Sequence, residues 1–129
     1  MARVFPFASA ARLSLPGRAS LEIVSGHTGS QSVTLRLATI PPEQPGAPAR
    51  GPHAHRDCEE CIYVLSGSGR TFAESGEFPL QPGDTILIPA GERHVTRNTG
   101  TTPLLLLCFY PIPDVIRGTA ELPADTPRP

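Results

Sequence analysis

The sequence predicts an all-β fold, and two observations carry the prediction. Among its 129 residues stand 16 Pro and 12 Gly, enough to interrupt any long helix and to demand many turns. Between these breakers lie short runs rich in β-branched and apolar residues that alternate with a period of two, as in Val33 to Ile40 and Thr85 to Ile88. A chain of this length is expected to form one domain, residues 1–129, with one core over about 20–110, an N-terminal arm at 1–19 and a Pro-rich tail at 111–129.

The elements follow in order. The arm is poorly patterned, but Val4-Phe5-Pro6-Phe7 is expected to add a short edge strand, to this chain's sheet or to a neighbouring subunit's. Ser20 to Val24 reads as a strand, and Ser25 to Gly29 as a turn whose His27 is an ordinary turn residue. In the Val33 to Ile40 strand, Val33, Leu35 and Leu37 share one face and Thr34, Arg36 and Ala38 the other. The Leu face is expected inward and Arg36 outward or at an interface. The sharper alternative turns Arg36 inward to anchor an anionic substrate. Pro41 to Pro52 can form neither an interior strand nor a helix; it is a connector or a lid.

Beyond it, Pro52 to Arg56 reads as extended and Cys61 to Leu65 as an apolar strand. Ser75-Gly76 joins Arg70–Ala73 to Phe78–Leu80 as a hairpin, and Pro82-Gly83 makes a turn into Thr85 to Ile88. His94 to Asn98 alternates, with His94, Thr96 and Asn98 on one face. Leu104 to Tyr110 is so continuously apolar that both its faces should be covered, one of them by a second copy in a homodimer. In the tail, Asp114 to Arg117 can make one helical turn; the last residues are expected to be disordered or packed over the partner.

Residues i and i+2 of a strand point the same way, so His53 and His55 project side by side. A carboxylate follows at Glu59 or Glu60, which lie on opposite parities. His94 supplies a further imidazole in the second marked stretch, Gly83 to Asn98. Two or three imidazoles with one carboxylate suit a borderline divalent metal: Fe, Mn, Ni or Zn. A lone His in a strand is usually an ordinary half-exposed residue; three at these spacings beside an acid are not.

The two stretches resemble the paired motifs of the cupin superfamily. In the first, G(X)5HXH(X)3,4E(X)6G, residues His53, His55, Glu60 and Gly67 fit, whereas the leading Gly position is Ala47, with Gly46 beside it. In the second, G(X)5PXG(X)2H(X)3N, residues Gly83, Pro89, Gly91, His94 and Asn98 fit throughout. The resemblance covers roughly Val33 to Tyr110. It implies a double-stranded β-helix, or jelly roll, with strand contributions from the N-terminal arm. It also implies one metal ion on His53, His55, Glu60 and His94. The spacing to Gly67 selects Glu60; Glu59 is the fallback, because a bulge would exchange the faces. Thr96 and Asn98 are candidates to support His94 from behind. Ile62, Val64, Ile86, Ile88 and Phe72 or Phe109 are candidates for an apolar pocket wall.

Composition narrows the chemistry further. The net charge of −1, scattered without a basic run, gives no argument for nucleic acid or for an anionic membrane surface. All eleven basic residues are Arg, which excludes a Schiff base on a lysine. An odd set of cysteines, Cys58, Cys61 and Cys108, fits reduced thiols, and Cys58-X-X-Cys61 lacks the context of a redox or zinc motif. Cys61 and Cys108 are expected as small apolar fillers. With no secretory signal pattern and no long apolar run, the expected location is the cytoplasm. Three functions stay open for a small oxygen-bearing ligand: a dioxygenase-type oxidoreductase, a non-redox isomerase, lyase or polyketide-cyclase-like enzyme, and a binding module without turnover.

Overall fold

The computed structural model describes residues 1–129. Eleven strands form two antiparallel sheets packed face to face. The first sheet runs β1 (Ala11–Leu13), β2 (Ala19–Val24), β3 (Thr34–Ile40), β10 (Leu104–Tyr110), β5 (Glu60–Ser66), β8 (Thr85–Ile88). The second runs β11 (Thr119–Glu121), β4 (His53–His55), β9 (His94–Asn98), β6 (Gly69–Ala73), β7 (Gly76–Leu80). Strands distant in sequence become neighbours, as β10 lies between β3 and β5. This is the jelly-roll architecture that the motif resemblance implies.

Alternation does the sorting. Along β10, Leu104, Leu106, Cys108 and Tyr110 point into the core, where they meet Ile62 and Val64 of β5 and Ala38 and Ile40 of β3. The residues between them, Leu105, Leu107 and Phe109, face out, and Phe109 remains exposed. The second face of this apolar strand is therefore uncovered within one chain. Ser75-Gly76 makes the expected hairpin, pairing Ala73 with Gly76, and Gly83 adopts φ +91° at the turn that leads into β8.

Three expectations need correction. The β3 strand faces the other way: Thr34, Arg36, Ala38 and Ile40 are buried, while Leu35 and Leu37 lie half-buried on the outer face. Arg36 tolerates the interior because Glu22, opposite it on β2, is buried with it and pairs with it at 3.0 Å. The arm does contribute a strand, but it is Ala11–Leu13; Pro6 opens a short 3₁₀ turn at Phe7–Ser9, and Val4 and Phe7 are exposed. The tail also pairs in order: β11 hydrogen-bonds along β4 after a 3₁₀ turn at Ile116–Gly118. It packs so closely that a Cβ on Gly51 would run into the carbonyl oxygens of Leu122 and Pro123.

The cysteines are all free. Cys58 and Cys108 are buried in the core, whereas Cys61 lies half-buried on the outer side of β5, so Cys58 rather than Cys61 is the interior filler.

Candidate metal centre

His53 and His55 both point inward from β4, with Ala54 between them facing the other way. The register sets His53 directly across from His94 on β9. Glu60 is the first residue of β5 in the opposite sheet, and its parity turns it inward while Glu59 is exposed. The fallback assignment of Glu59 is thereby overturned: no bulge intervenes to exchange the faces. His53, His55, Glu60 and His94 are 4%, 3%, 3% and 1% exposed, and their donor atoms all lie within 4.8 Å of one another.

The hydrogen bonds behind these side chains define which nitrogens are free. His94 Nδ1 donates to the Glu92 carbonyl oxygen at 2.9 Å, an atom that can only accept. Thr119 gives its hydroxyl proton to the Val115 carbonyl at 2.7 Å, so its oxygen accepts from His55 Nδ1 at 2.9 Å. Both rings therefore turn Nε2 toward Glu60 Oε1, at 3.1 Å from His94 and 3.2 Å from His55. A neutral ring already protonated at Nδ1 offers only a lone pair there, facing a carboxylate oxygen that also has only lone pairs. His55 Nε2 and His53 Nδ1 are buried with no hydrogen-bond partner at all. Positive charge among these atoms, a proton or a cation, relieves that contact. A divalent ion fits: donors about 2.1 Å from one centre stand about 3 Å apart when adjacent and about 4.2 Å apart when opposed.

The charges agree. Burial would raise the Glu60 carboxyl, but the His55 and His94 imidazoles beside it outweigh burial and hold Glu60 well below the ordinary carboxylate value. Burial, then the Arg50 charge, then His94, keep the His53 imidazole well below its ordinary value and so neutral, the form that ligates. Burial first and the Glu60 charge second push the Cys108 thiol and the Tyr110 phenol well above theirs. Both remain protonated beside the cluster.

The space next to the cluster is a cavity of about 30 Å³. Ile62 and Thr96 line it, but its walls are far from purely apolar: Arg18, Arg36 and Arg50 also face it, with Tyr110 and Cys108. The other pocket candidates lie elsewhere. Val64 and Ile88 sit in the main core, Ile86 packs against that core, Phe72 lies beneath Arg128 on β6, and Phe109 faces outward. Thr96 bonds Thr71 across the sheet at 2.7 Å, and Asn98 ties the Ile40 and Thr102 carbonyls and the Gly100 amide, so neither touches a His94 nitrogen. Their polar groups are used up holding strands and a turn. Several participants were missed in the sequence, Thr119 and Arg18 among them. Thr119 stands in a three-residue strand too short to show alternation. Arg18 is a lone cation after a Pro-Gly turn, with no motif around it.

The family described as Cupin domain matches residues 37–110, more than half of the chain. A glucose-6-phosphate isomerase of Pyrococcus horikoshii is 34% identical over 64 residues, covering 46% of this chain and 34% of that protein. Auxin-binding protein 1 of Arabidopsis thaliana is 33% identical over 97 residues, 67% of this chain and 46% of the relative. Among solved structures, a Bacillus subtilis oxalate decarboxylase studied for its Mn(II) centres superposes with a TM-score of 0.72 at 24% identity. That match covers 86% of this chain and 29% of the other, a likeness of fold. The chain thus spans between a third and a half of the length of the curated relatives it matches.

Proposed function

The chain belongs to the cupin family, and from that premise we propose that it is a metal-dependent enzyme acting on a small oxygen-bearing molecule. One divalent transition metal would be held by His53, His55, Glu60 and His94. The observation that supports this best is the arrangement of facing lone pairs: Nε2 of His55 and of His94 both approach Glu60 Oε1 within 3.2 Å, with no proton available to either contact from a neutral ring. When bound, the metal supplies a positive charge that polarises substrate oxygens and, as Fe or Mn, electrons for dioxygen chemistry.

The chain's own residues do the rest. Glu60 offsets part of the ion's charge. Glu92 and Thr119 fix the two ring orientations, so the donor set is assembled before substrate arrives. The cavity beside the cluster is small, and Arg18, which has no acid partner, makes it favourable to an anion. We read the reaction as dioxygen-dependent oxidation of that substrate, the function of a dioxygenase-type oxidoreductase. A specific observation favours a second reading, non-redox isomerisation or lysis: Tyr110 and Cys108 are held protonated next to Glu60 and can pass a proton to an enolate. The names of the isomerase and decarboxylase relatives point the same way.

Metal analysis of the chain purified without chelators, followed by oxygen uptake on small keto acids, diketones and catechols, tests the first reading. Turnover under nitrogen selects the second. Tight binding with no product would leave a ligand-binding protein. We further propose that the chain works as a homodimer in the cytoplasm. Supporting this are the uncovered outer face of the first sheet and three unpaired cysteines. No helix is long and apolar enough to cross a membrane.

A further inference from the structure

Three guanidinium groups wall the cavity beside the cluster, and two are already neutralised. Arg36 donates from Nε and Nη2 to Glu22 Oε2, at 3.1 and 3.0 Å. Arg50 forks onto both carboxylate oxygens of Glu121. Arg18 has no acid. Its Nη2 reaches the Thr96 carbonyl oxygen at a long 3.4 Å, and its Nε is shielded from solvent without any partner. A guanidinium carries five N–H donors, and Arg18 makes one side-chain bond within the protein. Burial, then the Arg50 charge, lower its pKa to about 10, so it remains a cation at neutral pH. A half-buried cation with an unpartnered, shielded Nε is better satisfied when an anion completes it.

Its place in the fold sets Arg18 at the edge of the donor cluster. Arg18 follows the Pro16-Gly17 turn into β2 and lines two spaces at once. One is the inner cavity, lined by three of the four donor side chains, His53, Glu60 and His94. The other is an outer depression of about 280 Å³ under the Pro41 to Ala49 loop, bordered by Arg97 and Arg128. The one acid bordering the depression is Glu43, 3.7 Å from Arg97. Arg18 is the one residue common to both spaces, and Arg97 and Arg128 add positive charge to the outer one.

Resting on the metal-enzyme reading above and deepening it, we propose that Arg18 is the specificity-determining anchor for a substrate carboxylate. The substrate class is a compact carboxylic acid with a second oxygen donor, a 2-oxo acid, 2-hydroxy acid or short dicarboxylate. Its carboxylate completes the guanidinium fork while its other end faces His53, Glu60 and His94.

The test uses the full chain loaded with Mn(II), with metal stoichiometry measured by elemental analysis. Oxalate, pyruvate and the uncharged analogue hydroxyacetone are titrated by calorimetry and by their effect on the Mn(II) resonance spectrum. The wild type is expected to prefer pyruvate over hydroxyacetone. Arg18→Gln and Arg18→Met are expected to keep the metal and to weaken both acids by about 30-fold, while changing hydroxyacetone less than about twofold. Wild-type protein that holds metal but shows no preference for the acids overturns the proposal without any variant. So does either variant that holds metal and binds the acids as wild type does. A wild-type chain that takes up no metal overturns the underlying metal reading instead, and this proposal with it.

Discussion

Thr119 shows how much one hydroxyl can decide. It accepts from His55 and donates to Val115, and that sequence of bonds leaves His55 Nε2 free to ligate. Thr119→Val should leave a buried N–H without an acceptor, at a cost of about 1–3 kcal/mol, and should weaken metal affinity about 10- to 100-fold with little change in overall shape. Competition with a chromogenic chelator would measure this. His55→Ala should abolish stoichiometric metal uptake outright; unchanged stoichiometry in elemental analysis would refute the ligand assignment. His53 gives a pH signature in the metal-free chain. Its folded-state pKa lies well below the ordinary value of about 6.5. Its contribution is therefore fully present above about pH 6.5 and is lost progressively as acid protonates the unfolded chain's imidazole but not the buried one. Melting temperature against pH should fall on that side, and more shallowly in His53→Asn.

At the scale of the element, the informative comparison is between strands of different length. The seven-residue strands β3, β5 and β10 were legible because alternation over that span is hard to produce by chance. The motif glycines and prolines made the turns legible too. The direction of β3 was not, because hydropathy favours its Leu face inward; it was reversed by Glu22, a buried acid on another strand that no local pattern connects to Arg36. The strands β1 and β11 have three residues each and exist only through their pairing with β2 and β4. The four converging donors were readable from spacing, whereas their supports at Glu92 and Thr119 and the wall residue Arg18 depend on where loops and tail come to rest. Deleting residues 119–129 should therefore leave the first sheet intact but uncover His55 and Gly51, lowering metal affinity by at least about tenfold. The same chelator competition, alongside circular dichroism, would separate the two effects.

For the whole molecule, the outer face of the first sheet carries the next prediction. Leu37, Leu107 and Tyr63 stand in one row across three strands, and Leu35, Phe109, Cys61 and Leu87 in the next. Tyr63, Leu87 and Phe109 are 42%, 54% and 38% exposed, a contiguous apolar surface in a single chain. A two-fold pairing of this face with itself would cover it. Sedimentation at micromolar concentration should show a dimer, and Leu107→Asp should give a monomer that still binds metal; a monomeric wild type would refute the pairing.

One detail of the second sheet reaches further than its size suggests. The β4 strand joins β9 through a single matched pair, His53 with His94, and both members belong to the donor cluster. An ion held there would act as a cross-tie between two strands that otherwise scarcely touch. Stripping it should let β4 and the tail strand riding on it breathe as one unit. Deuterium would then enter at residues 53–55 and 119–121 well before it reaches β3, β10 and β5.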